Sequence, residues 1–108
     1  MAGFDDREKA EEAKYAHDQA LKFKIEARRN KLLGLWAAGL LGKTDEADVN
    51  TYVTEVVASD FEEAGDEDVY RKVSGDFKAA GVNVSEEELR EKMRTLYLKA
   101  EMQVQEAK

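Results

Sequence analysis

No proline interrupts this chain, so no position compels a helix to break, and apolar residues recur at steps of three and four in successive runs. β-Branched residues form few clusters. The fold predicted from this pattern is all-α: a four-helix bundle over residues 19–108, preceded by a flexible or partly helical N-terminal arm over residues 1–18 that is disordered or a nascent helix when free.

The helix boundaries follow from local chemistry. The first helix carries Leu21, Ile25, Leu32, Trp36 and Leu40 as its packing stripe, with Arg28 and Arg29 in the intermediate turn, and ends near Leu41 with Gly42 as its C-cap. Thr44 is the N-cap candidate for a second helix with Val49, Tyr52, Val53, Val56, Val57, Phe61 and Ala64 on one face, stopped by Gly65. Asp66 opens a shorter third helix along Val69, Tyr70, Val73, Phe77 and Ala80, which Gly81 ends. Ser85 and Glu88 have the spacing of a capping box, opening a fourth helix with Leu89, Met93, Leu96, Tyr97, Ala100 and Val104 on one face. Trp36 reads as a core anchor.

The arm differs from everything after it. From Met1 to Ala20 there is no Leu, Ile or Val, and the only large apolar groups are Phe4 and Tyr15. Its abundance of Ala, Glu, Lys and Arg favours a helical backbone, yet its side chains bury too little to offset the ordering entropy alone. Such a segment is expected to fold onto a partner. In a helix Phe4 and Tyr15, eleven residues apart, return to nearly the same face, while Ala13, Ala16 and Ala20 form a slim stripe elsewhere. A thin helix with two aromatic anchors suits a narrow cleft.

Other bounds narrow the function. A chain of 108 residues supports one modest core and no conventional enzyme cleft with a second domain. The absence of cysteine removes disulfide and thiolate chemistry and agrees with a reducing cytoplasm. No run approaches a membrane span, and Asp5 and Asp6 precede any apolar run, unlike a signal peptide. A net charge of −7 disfavours nucleic acid and anionic lipid as partners. The charge is blocked: residues 45–68 hold ten acidic groups and no basic one, whereas Lys22, Lys24, Arg28, Arg29 and Lys31 face only Glu26 in residues 22–31. The simplest expectation is that the basic first helix lies beside the acidic second one, its charges forming a solvated face.

Several motifs resemble chemistry and fall short of it. Residues 37–44 end in the Gly-Lys-Thr of a phosphate loop, but Ala37 replaces the first glycine and a helix, not a strand, precedes it. A weak nucleotide contact at Gly42, Lys43 and Thr44, beside the N-terminus of the second helix, is the alternative functional reading: a regulatory bundle that senses ADP or ATP. A scaffold bundle for some other helix is a third. The segment from Asp60 begins like a calcium loop and fails at Ala64 and Arg71, where side-chain oxygens are required. His17 has no cysteine partner and reads as a solvated arm residue. No nucleophile, His–Asp pair or carboxylate dyad emerges, so neither catalysis nor a resident cofactor or metal is expected.

Three stretches, F-D-D-R-E-K-A-E-E-A-K-Y-A-H-D, F-K-I-E-A-R-R-N-K-L-L-G-L-W-A-A-G-L-L-G-K and D-F-E-E-A-G-D-E-D-V, closely resemble the zeta subunit family of alphaproteobacterial F-type ATP synthases. The resemblance covers almost the whole chain and is weakest in residues 45–55 and 81–108. It implies a small four-helix inhibitor of ATP hydrolysis whose N-terminal segment enters a catalytic alpha/beta interface as a helix, reaches the rotating gamma subunit and blocks turnover. Carried onto this chain, partner binding falls on Phe4, Asp5, Asp6, Arg7, Glu8, Lys9, Glu11, Glu12, Lys14 and Tyr15, with the bundle held outside the catalytic head. The implied protein is cytoplasmic, peripheral to the inner membrane when bound to the synthase, and a monomer when free.

Overall fold

Four α-helices follow one another in the predicted order: α1 (Ala2–Leu40), α2 (Glu46–Ser59), α3 (Glu67–Ala80) and α4 (Glu86–Glu106). The computed structural model describes the backbone of residues 2–60 and 66–106 and the side chains of residues 19–60 and 66–105. Among the described residues there is no strand, and no helix is long and apolar enough to cross a membrane.

Two of the three glycine stops, Gly42 and Gly81, act as read from the sequence, by the same device. Gly42 takes φ +79°, its N–H donates to the Gly39 carbonyl at 3.2 Å, and the Lys43 N–H reaches back to Ala38 at 3.0 Å. Gly81 repeats this at φ +73°, with its N–H on Lys78 at 3.2 Å and the Val82 N–H on Phe77 at 2.8 Å. Each pair of bonds is a Schellman closure, which satisfies helix-end carbonyls and requires a left-handed residue that glycine adopts without strain. The start of α4 is also as predicted. Ser85 Oγ accepts the Glu88 N–H at 3.1 Å, and the Ser85 carbonyl takes the Leu89 N–H at 3.0 Å.

The ends of α2 differ from expectation. Asp45, not Thr44, is its N-cap; Asp45 makes no side-chain capping bond, so its carboxylate acts with Glu46 and Asp48 as charge against the helix dipole. The helix closes at Ser59, whose hydroxyl donates to the Val56 carbonyl at 2.6 Å, well before the expected stop at Gly65. Phe61, Ala64 and Gly65 lie outside the described residues. The third helix is not the shorter one, since α2 and α3 each have 14 residues.

α1 is the spine of the bundle, packing most extensively against α2 and α4. Its buried face coincides with the predicted stripe only in part: Ile25 is buried as expected. Leu33, Ala37 and Ala38 are fully buried, while Leu32 and Trp36 pack at the rim and Leu40 is 44% exposed. Small residues win the interior position because they allow close backbone approach: a Cβ on Gly34 would lie 3.0 Å from the Val53 Cα. Around this seam close Tyr52 and Val56 from α2, Val69, Val73 and Phe77 from α3, and Leu89, Met93 and Leu96 from α4. Each large aliphatic or aromatic group so buried contributes about 1.5–3 kcal/mol of transfer free energy. Trp36 completes the rim as a half-buried ring standing edge-on to Phe77, at 5.7 Å between centroids and 83° between planes.

Candidate functional site

All ten residues assigned to partner binding, from Phe4 to Tyr15, fall within the bounds of α1. Their side chains, and that of His17, lie outside the described residues. No glycine or proline occurs between Phe4 and Leu33, so no break signal separates this stretch from the part of the helix that packs in the bundle. Among the described side chains of α1, Leu21 is half-buried and Ile25, at 6% exposure, is the first to be buried.

One turn further on, the helix buries two polar residues that the sequence reading left on its surface or unremarked. Arg29 is 5% exposed and Asn30 is 1% exposed. The Arg29 Nε–H donates to Asn30 Oδ1 at 2.7 Å, and the guanidinium lies 6.0 Å from the centre of the Tyr97 ring. A cavity of about 510 Å³ opens beside them, bounded by Lys22 and Glu26 on α1 and by Arg94 and Tyr97 on α4.

At the other end of α1 the structure disfavours an anion at Gly42, Lys43 and Thr44. The Gly42 and Lys43 N–H groups are already committed to the Schellman closure. The Lys43 ammonium rests 5.7 Å from the Tyr52 ring, in a cavity of about 310 Å³ shared with Glu55 and Asp76. Lys72 bridges those two carboxylates, at 3.3 Å from Glu55 and 3.1 Å from Asp76, and its ammonium is 5.4 Å from the same ring. Burial lowers the Lys72 ammonium's affinity for its proton, but Asp76 and Glu55 outweigh it and the net shift is upward. Burial, and then the Asp76 and Glu55 carboxylates, push the Tyr52 phenol well above its ordinary range. Two carboxylates in the cavity and two more in the first turn of α2 repel a polyphosphate.

The basic segment does lie beside α2, as expected, but not as half of a row of ion pairs. Among the described residues the cross-helix ion pairs join α2 to α3 through Lys72 and Glu55, and α3 to α4 through Arg90 and Glu67 at 3.0 Å. Lys24, Arg28 and Lys31 instead line a groove of about 630 Å³ whose apolar wall comes from Val53 and Val57 of α2 and Val104 of α4. Among the described residues, none that lines it is acidic. Arg28 is held by a 2.7 Å bond from its Nε–H to Gln103 Oε1. The spacing of the three cations was visible in the sequence, whereas the apolar wall, drawn from two other helices, was not.

Comparison with known proteins follows this geometry. The model of a family described as ATPase inhibitor subunit zeta matches residues 1–103. A solution NMR structure of a protein is similar to this chain at 48% identity, with a TM-score of 0.71, covering 82% of this chain and 99% of its own. No curated protein matches.

Proposed function

This chain belongs to the ATPase inhibitor subunit zeta family, and from that premise we propose that it inhibits ATP hydrolysis by the F-type ATP synthase, by obstruction and without catalysis of its own. The family match over residues 1–103, which takes in the whole N-terminal segment, is the observation that carries the reading. In this account the segment from Phe4 to Tyr15 inserts as a helix at a catalytic alpha/beta interface, next to gamma, and stops rotation. Phe4 and Tyr15 supply the apolar anchors and Arg7 the charged one, because desolvated aromatic and arginine side chains carry most of the energy at protein interfaces. The bundle remains outside as a stop that sets how far α1 can enter. Its buried apolar residues form one core shared by four helices, which supports assigning insertion to the one segment that has little core of its own.

The test is ATP hydrolysis by the purified catalytic head with and without the protein. Full-length chain is expected to suppress hydrolysis, and a chain lacking residues 1–18 is expected not to. Hydrolysis unaffected by the full chain would sink the reading. Suppression by the truncated chain would move the inhibitory surface to the bundle.

A further inference from the structure

We propose that the groove between α1, α2 and α4 is a docking site for an acidic-edged amphipathic helix of the same catalytic head, a second contact that holds the bundle in place while the arm is inserted. The proposal rests on the inhibitory reading above and adds to it a surface on the bundle.

Charge is the first argument. The chain carries a net −7, yet this groove presents Lys24, Arg28 and Lys31 with no carboxylate among its described lining residues. Lys24 and Lys31 make no ion pair among the described residues, and all three cations are exposed. Chemistry of the floor is the second. Val53, Val57 and Val104 give the groove an apolar wall directly beside those cations. A small anion would pair with the lysines and leave the half-buried Val57 and Val104 wet, and an uncharged apolar segment would cover these two and strand the cations. A helix with an apolar seam and a flank of Asp or Glu satisfies both halves at once.

Spacing selects a helix as the form. The three cations stand at i, i+4 and i+7 on α1, so Lys24 and Lys31 are about 10.5 Å apart along the axis, two turns at 1.5 Å per residue. Carboxylates seven residues apart on a helix lying alongside repeat that interval. Position ties the occupant to the head. Lys24 is six residues, about 9 Å of helix, beyond Asp18 at the end of the arm, so a surface that receives the arm is within reach of the groove.

The probe is the purified catalytic head, titrated with full-length protein. Lys24→Glu with Lys31→Glu is compared with Lys78→Glu and Lys99→Glu, which change the net charge equally at exposed sites outside the groove. Roughly tenfold or greater weakening is expected for the first pair and less than about twofold for the second, since desolvated charge pairs act on affinity and distant charges mainly on encounter. Val57→Ser, which leaves charge untouched, should also weaken binding, with the thermal melts of all variants close to wild type. Equal effects from the two pairs, or none from the first, would overturn the groove while leaving the inhibitory reading standing. A wild-type chain that fails to bind the head overturns both. Concentration-dependent self-association, lost in Lys24→Glu with Lys31→Glu while head binding is unchanged, would assign the groove to a second copy and overturn the proposal.

Discussion

Gly34 and Gly75 both sit inside helices, and their surroundings predict opposite responses to the same substitution. A Cβ at Gly75 meets nothing within 4 Å, so Gly75→Ala should stabilise the protein by about 0.5–1 kcal/mol through helix propensity and a less flexible unfolded chain. At Gly34 the new methyl would stand 3.0 Å from the Val53 Cα and 3.2 Å from its Cγ2. There the overpacking cost exceeds the propensity gain, and Gly34→Ala should destabilise by about 1 kcal/mol, read by urea unfolding. Tyr52 gives a prediction of another kind. Folding raises both its phenol and the neighbouring Lys72 ammonium, so each holds its proton in the folded state at a pH where the unfolded chain, with ordinary values near 10.0 and 10.5, has begun to lose it. Both contributions are complete below those values and are lost above them. Melting temperature should therefore be flat from neutrality toward pH 9.5 and fall above about pH 10, and Tyr52→Phe should make that fall shallower.

Among the elements, α4 depends visibly on its first turn. Ser85→Ala removes the acceptor of the Glu88 N–H and should cost about 1 kcal/mol, with exchange protection falling first at the start of α4. The caps at Gly42, Gly81 and Ser85 were legible in the sequence because each is decided within a few residues by one side chain, or by the lack of one. The close of α2 was not. Gly65 is a stronger stop signal on paper than Ser59 or Asp60, yet the helix ends at Ser59 with Asp60 as its cap, and no side-chain bond among the described residues accounts for the earlier end. The face of α1 was misread in part. A hydrophobicity pattern weights Leu32, Trp36 and Leu40, while the closest helix contact selects small residues, so Gly34, Ala37 and Ala38 carry the seam. The role proposed for the arm rests on composition and resemblance. An alanine scan of inhibition should find losses on the order of 2 kcal/mol at Phe4, Arg7 and Tyr15, and smaller ones at Glu8, Glu11 and Glu12.

For the whole molecule, extents of 65 × 25 × 21 Å describe a body much longer than it is wide, with α1 as its longest element. Buried side chains begin on it at Ile25 among the described residues. Amide-exchange protection in the free protein should accordingly begin near Ala20 and stay low before it, because local opening is resisted by buried contacts. Uniform protection from Phe4 onward would mean that the segment is packed before it meets a partner. Trp36 provides the optical means to follow such events. It is the chain's only tryptophan, standing against Phe77 of α3 and 5.5 Å from the Lys92 ammonium of α4. Its emission is a label built into the junction of three helices: opening of the bundle, which removes the phenyl edge and the nearby cation together, should change its colour, whereas an event confined to residues 1–18 should leave its surroundings as they were.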